Sequence, residues 1–305
     1  MSIDLNTRTL PELYHDLAQT GLPRRLLQLA HDEDLGPESR DITAELVADA
    51  SRSVATIRAR QPATVAGIAC LPDLLDVFRV SLEASVLAAD GERVDRGEAV
   101  ASLTGRLADL VRVERTLLNL LGRLSGIATR THEFAARIPE SCSLLDTRKT
   151  TPGLRTLEKY AVRCGGGRLH RIGLNDAVLI KDNHIAHMED TELTAFIERA
   201  SAHGRAADAA FVEIEVDTLD QLGAVLATPP EAVDFILLDN MTNEQLRIVV
   251  RMRNAANHRA KLEASGGITL ETIAAVAETG VERVSVGSLT HQARSIDFGL
   301  DIDAA

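Results

Sequence analysis

Five basic side chains stand where short apolar runs end or where glycines cluster. Arg148 and Lys149 follow SLLDT, His170 and Arg171 follow CGGGRL, and Lys181 closes LIK before DN. Planar guanidinium forks match carboxylate and phosphate oxygens, and an ammonium supplies a compact point charge, so this set reads as a receptor for a small polyanion. A second set is acidic: Glu213, Glu215 and Asp217 in VEIEVD, and Asp239 at the end of FILLD. Strand alternation puts the first three on one face, opposite Val212, Ile214 and Val216. On the inner face of a barrel such carboxylates need partners, and beside a phosphate site they hold sugar hydroxyls or Mg²⁺ with its waters. The third set is glycine-rich, Ser265-Gly266-Gly267 and Gly287-Ser288. Each is expected to lead into a helix and to offer free backbone N–H groups to a phosphate.

The composition agrees with a small anionic ligand. The 305-residue chain carries a formal charge of −12, yet residues 146–184 hold eight Lys and Arg against four Asp and Glu. A basic island in an acidic chain suits a small anion, and the overall sign excludes a general nucleic-acid binder. Lysine occurs only at Lys149, Lys159, Lys181 and Lys261, which suggests positions where an ammonium is wanted over a guanidinium, with chance as the competing reading for Lys159 and Lys261. Cys70, Cys142 and Cys164 are odd in number, far apart and without a CxxC, so no disulfide framework or structural zinc is expected. Cys164 reads as a buried thiol rather than a nucleophile. His184 and His187 could share a helix face but have no third ligand at metal spacing. No apolar run approaches a membrane span and the polar start lacks a signal-peptide core, so a cytoplasmic protein without membrane contact is expected.

These side chains need a scaffold. Residues 1–53 read as helices and loops, and from Val54 short β-type runs follow, VATIRARQPATVAGIACL and VSLEASVLAADGERVDRGEAVASLTG. DGERVDRGEAV has the look of a swinging-arm carrier domain. It lacks the lysine such a hairpin tip requires, so it reads as part of a small antiparallel sheet. Residues 111–138 form one long helix with Leu117, Leu118, Leu121 and Leu124 at core spacing. Beyond Pro139 apolar runs alternate with helical stretches, and Thr218 with Gln221 and Thr242 with Gln245 fit capping boxes. Such alternation implies parallel strands, and without a Gly-x-Gly-x-x-Gly after the first strand it favours a barrel over a dinucleotide fold. A barrel places its chemistry at the C-terminal strand ends, where the polar tips lie.

The segments EDLGPESRDIT, VERTLLNLLGRLSGIAT, DTRKTTPG through KDNHI, VEIEVDTL, LLDN, EASGGIT and VSVGSLTH, in this order, resemble the quinolinate phosphoribosyltransferases. Two positions depart from the family pattern: Leu169 where Asn is usual, and Asn175 where Tyr is usual. The resemblance implies an α/β protein with an N-terminal α/β sandwich over residues 1–116, joined by the tail 293–305. An open α/β barrel of the type II phosphoribosyltransferase kind then spans 117–292. It implies transfer of the phosphoribosyl group of phosphoribosyl pyrophosphate to quinolinate with loss of CO₂, giving nicotinate mononucleotide. Mg²⁺ would be bound with the phosphoribosyl pyrophosphate.

By motif match, Arg148, His170 and Arg171 would take the quinolinate carboxylates, and Lys149 and Lys181 would lie on quinolinate and pyrophosphate. Glu215 and Asp239 would hold the ribose hydroxyls and the metal. Ser265, Gly266 and Gly287 would take the 5-phosphate, with Thr147, Gly267 and Ser288 in the same substrate-binding set. A homodimer, or a higher oligomer built on it, would share active sites through Arg115. The competing readings are a paralogous barrel enzyme for another acidic pyridine, a Lys181 Schiff-base aldolase, and a ligand-binding regulator on the same scaffold.

Overall fold

The computed structural model describes residues 4–46, 52–185 and 187–303, which fall into two compact units. The first comprises Thr7–His132, Lys149–Gly167 and the chain from Leu289. It opens with α1 (Leu10–Ala18), started by a Thr9/Glu12 capping box, and α2 (Leu22–Leu35). Strand β1 (Arg52–Ala59) buries Ser53, Ala55, Ile57 and Ala59 and turns the intervening residues outward, the period of a strand with one covered face. The β-type reading of the following run ends early. After β2 (Ala63–Thr64) the segment from Ile68 turns into a 3-10 turn and then α3 (Leu71–Val77), whose Pro72 sits in the first helical turn where a missing N–H costs nothing. Next come β3 (Leu82–Val86), β4 (Arg93–Val94) and β5 (Ala99–Arg106), and then α4 (Leu107–Ala135). Leu117, Leu118, Leu121 and Leu124 are all buried on α4, as their spacing requires.

The second unit, Glu133–Arg148 and Arg168–Ser288 with the residues up to Asn6, is a parallel α/β barrel open at one seam. Its strands are β6 (Ser143–Leu145), β7 (Val178–Ile180), β8 (Val212–Val216), β9 (Phe235–Asp239), β10 (Lys261–Ser265) and β11 (Arg283–Ser285). Each falls on one of the apolar runs expected beyond Pro139. They lie in the order β6-β11-β10-β9-β8-β7, all parallel, and Arg168 bridges to Leu145 on the outer side of β6. Between β6 and β7 the chain makes α5 (Arg155–Cys164), which belongs to the first unit. The short α6 (Asp182–Ile185) follows β7, and then α7 (Asp190–Ala206), α8 (Leu219–Leu226), α9 (Asn243–Ala255) and α10 (Ile273–Ala277) alternate with strands. The capping boxes at Thr218/Gln221 and Thr242/Gln245 both form. Residues Val212–Val216 are buried on both faces, as expected for a strand between an outer helix layer and a filled lumen.

After α11 (Ser288–His291) the tail returns to the first unit as β12 (Phe298–Asp303), pairing antiparallel with β1 in the order β12-β1-β5-β3. It passes along α4, where a side chain on Gly126 would collide with the Arg294 carbonyl, while the Ile296 N–H donates to the Gly122 carbonyl at 2.9 Å.

The unit boundary differs from the sequence reading in three places. α4 runs unbroken through residue 116, so the first unit extends to His132. Lys149–Gly167 also joins it, because fully buried Glu158 accepts from the Arg123 guanidinium at 2.6 Å and from the Thr151 N–H at 3.0 Å, and Tyr160 donates to Asp90 at 2.8 Å. The tail joins from Leu289 rather than residue 293. Among the described residues no helix is long and apolar enough to cross a membrane.

Candidate active site

The inward residues of the barrel form layers, because alternate side chains of every strand share a face. At the C-terminal mouth β8, β9 and β10 present Glu215, Asp239 and Ser265, with Asp239 and Ser265 in direct register. Lys181, at the exit of β7, donates from Nζ to Glu215 Oε2. Glu215 is only 7% exposed, so the ammonium compensates a carboxylate that is largely withdrawn from water. Glu215, Asp217 and Asp239 bring carboxylate oxygens within 4.8 Å of one another. Burial, Asp239 and Asp182 together push the Asp217 carboxyl above its ordinary value. A crowded set of hard oxygen donors whose charge the protein only partly neutralises suits Mg²⁺.

The glycine loop beside them is fixed by contact as well as conformation. Gly266 has φ +91°, and a Cβ there would run into the Asn240 side chain and stand 2.9 Å from its main-chain nitrogen. Asn240, itself left-handed at φ +53°, donates its N–H to the Ser265 carbonyl at 2.9 Å and its amide to Asp239 at 2.6 Å. The acidic tip of β9 and the glycine tip of β10 are thus one hydrogen-bonded structure. Each glycine pair precedes a helix: α11 begins at Ser288 itself, and α10 follows Ser265-Gly266-Gly267 after a Thr269/Thr272 turn.

On the β6 side, Arg171 is buried, and burial together with the nearby Arg148 guanidinium pushes it below the ordinary arginine value. Two guanidiniums held near each other favour an anion that binds both. The His170 ring turns down the lumen instead of toward the mouth. Its Nε2 stands 2.8 Å from Glu213 and 3.5 Å from Glu263, and its Nδ1 accepts the Arg171 N–H at 2.8 Å. Burial pushes the imidazole down, but Glu263 and Glu213 outweigh it and hold it above its ordinary value. Glu263 is in turn met by Arg283 Nε at 2.6 Å. Asp146, Glu263 and Arg283 were not singled out in the sequence, because nothing local distinguishes a lumen charge from a surface one.

The remaining candidates are placed as follows. Thr147 and Arg148 are half-buried at the tip of β6, and Gly287 and Ser288 at the exit of β11. Lys149 belongs to the first unit, exposed, with its carbonyl accepting from Thr290 Oγ1 at 2.7 Å. Arg115 lies on α4 of that unit, 68% exposed and 3.8 Å from the Glu114 carboxylate. His184 and His187 do not share a helix: α6 ends at Ile185, and His184 Nδ1 accepts the Lys181 N–H. Cys164 is buried and its thiol pushed well up by that burial, which leaves it inert. Leu169 buries its side chain, and its main-chain N–H and carbonyl bond to the Asn6 side-chain amide at 2.7 and 3.0 Å, while Asn175 is exposed. A cavity of about 550 Å³ opens at the opposite mouth, lined by the strand starts Ser143, Phe211, Phe235, Lys261 and Arg283 and reaching up to His170 and Arg171. It contains neither glycine loop, and barrel chemistry belongs at the other end.

Comparison with known proteins matches residues 41–125 to the N-terminal domain and residues 127–301 to the C-terminal domain of quinolinate phosphoribosyl transferase. A probable nicotinate-nucleotide pyrophosphorylase (carboxylating) of Bacillus subtilis is 38% identical over 92% of this chain and 93% of its own. The nicotinate-nucleotide pyrophosphorylase (carboxylating) of Mycobacterium leprae is 40% identical over 86% and 91%. Among solved structures, a nicotinate-nucleotide pyrophosphorylase from Francisella tularensis superposes with a TM-score of 0.83 at 32% identity, covering 99% of this chain and 100% of that one.

Proposed function

This chain belongs to the quinolinate phosphoribosyltransferase family, and from that premise we propose that it converts quinolinate and phosphoribosyl pyrophosphate to nicotinate mononucleotide, pyrophosphate and CO₂. One observation carries the reading: the Lys181–Glu215 pair, the Asp217 and Asp239 carboxylates and the Ser265-Gly266-Gly267 loop share one barrel mouth. A sugar with a phosphate at one end and a pyrophosphate at the other requires such a set. The glycine loop offers N–H groups to the 5-phosphate, with Gly287 and Ser288 beside it, and the carboxylates face the ribose hydroxyls. Arg148 and Arg171 take the quinolinate carboxylates, with Lys149 and Thr147 completing that end.

As the bond from the sugar carbon to pyrophosphate breaks, oxocarbenium character develops and nearby carboxylates stabilise it, while Lys181 meets the departing charge. The pyridine nitrogen forms the new bond to that carbon. The resulting cationic ring stabilises the electron pair left on its carbon when the adjacent carboxylate departs as CO₂, and a proton from solvent then bonds to that carbon to give nicotinate mononucleotide. Mg²⁺ held at Glu215, Asp217 and Asp239 would neutralise charge on the polyphosphate. The reading includes a homodimer in which Arg115 of one subunit serves the other's pocket. Three buried free thiols accord with a reducing, cytoplasmic location.

The test is direct. Purified protein with Mg²⁺ should release CO₂ from carboxyl-labelled quinolinate only when phosphoribosyl pyrophosphate is present. Turnover of another pyridine acid, with none of quinolinate, would transfer the assignment to a paralogous substrate.

The division of the mouth into two half-sites has its own check. Asp239→Asn and Glu215→Gln should weaken phosphoribosyl pyrophosphate binding by roughly tenfold or more, with quinolinate little changed, in separate calorimetric titrations. Selective loss of quinolinate would invert the two half-sites.

A further inference from the structure

One layer below the substrate mouth the lumen holds four charged or ionisable groups that the proposed reaction does not use directly. Glu213 and Glu263 are both 0% exposed, and His170 and Arg283 fill the space between and beneath them. Arg283 spans the group from below, with its guanidinium 3.5 Å from the Phe235 ring centre and its Nε on Glu263. The His170 ring is closely surrounded, with the cavity of the far mouth on its remaining side. Phe211 meets it edge to face at 5.4 Å, Glu213 and Glu263 flank Nε2 and the Arg171 N–H points at Nδ1, while the main-chain N–H of His170 donates to Asp146 at 2.8 Å.

Such a group is expensive as packing. Two carboxylates taken out of water each cost several kcal/mol before their partners offset it, and apolar side chains of the same volume are often equally stable or better. Neither Glu213 oxygen nor Glu263 Oε1 completes a hydrogen bond among the described residues, so His170 is held by close charge contacts at 2.8 and 3.5 Å and the network does not satisfy itself fully. What it does supply is direction. Carboxylates at Nε2 favour a proton there. A second proton on Nδ1 would face the Arg171 N–H, and that short-range exclusion decides where the single proton sits. Nδ1 is then a bare acceptor that pins the Arg171 main chain.

Resting on the function proposed above, we infer that Glu213 and Glu263 are positioning residues. They lock the His170 ring with Nε2 down the lumen, so that Nδ1 fixes the Arg171 backbone and aims its guanidinium at a quinolinate carboxylate. His170 then serves the substrate through Arg171, because neither ring nitrogen is left to reach the ligand. Arg283 holds Glu263 in place from the far mouth.

The test pairs kinetics with a spectroscopic readout. Glu213→Gln and Glu263→Gln are close to isosteric, and each should raise the quinolinate Kd by about ten- to hundredfold through misplacement of Arg171. The phosphoribosyl pyrophosphate Kd should be unchanged, and kcat at saturating quinolinate should stay within about threefold. A role in stability alone predicts the opposite pattern, a lower Tm with both Kd values intact, and that result overturns the inference. Nitrogen-15 NMR of wild-type protein decides independently of whether the variants fold. The His170 ring should show one protonated nitrogen at Nε2 and one bare nitrogen at Nδ1, and should keep that state when quinolinate is added. A bare Nε2, or a ring nitrogen whose signal moves on direct contact with quinolinate, would equally overturn it. Wild-type protein that binds no quinolinate at all would instead sink the proposed function, leaving the ring measurement to stand.

Discussion

Lys181→Ala is expected to lower kcat/KM by roughly 30- to 1000-fold, equivalent to about 2–4 kcal/mol of transition-state binding. The ammonium leaves from the end of β7, where it contacts Glu215 and is 44% exposed, so little apolar packing goes with it. Thermal unfolding should fall by several degrees, because Glu215 loses the charge that compensates it, while turnover should collapse even at temperatures where the variant stays folded. Lys181→Arg should restore little. A planar fork cannot occupy the place of a compact ammonium against one carboxylate oxygen and a departing pyrophosphate. Steady-state kinetics with both substrates varied, beside a melting curve, separates the cases. Near-wild-type kcat/KM in the alanine variant would remove Lys181 from the mechanism.

Mixing two inactive variants should restore activity. Arg115→Ala and Lys181→Ala each disable the enzyme, but in a hybrid dimer with shared sites one pocket carries both defects and the other carries none. Random exchange makes about half of the dimers hybrids, so recovery should approach about a quarter of wild type. Arg115 is suited to such a role by its place on α4, mostly in solvent and with only a loose approach to the Glu114 carboxylate at 3.8 Å. A pair so exposed contributes little to stability, so Arg115→Ala should fold normally. If subunit exchange is verified by mass and no activity returns, each Arg115 serves its own subunit.

Much of the scaffold was legible because it is written in short-range patterns. The six apolar runs after Pro139 became the six parallel strands, and Thr218/Gln221 and Thr242/Gln245 capped the helices between them. These signals depend on neighbours two to four residues apart, within reach of reading a sequence. Ser265-Gly266-Gly267 was legible for a related reason. A left-handed φ at Gly266 is a local demand, although its second cause, Asn240 arriving from the next strand, is not. The extent of the compact units follows an opposite logic. Residue 116 lies within the long helix expected over 111–138, which runs as α4 to Ala135. The assignment of Lys149–Gly167 depends on Glu158 meeting Arg123, partners 35 residues apart.

Residue types and their alternation along single strands were therefore the sequence's own contribution: a basic set, an acidic set, two glycine tips and the elements that carry them. Which charge faces which was decided only in three dimensions. Glu213 and Glu215 look equivalent in VEIEV, two residues apart on one face. The barrel places Glu215 beside Lys181 and Glu213 one layer lower against His170. His170 likewise belongs to the basic set by type, yet it turns away from the mouth because Glu213 and Glu263 converge on its Nε2 from β8 and β10. A charge in a lumen is defined by partners from other strands, and those pairings exist only once the sheet has curled and excluded the water that would otherwise screen them.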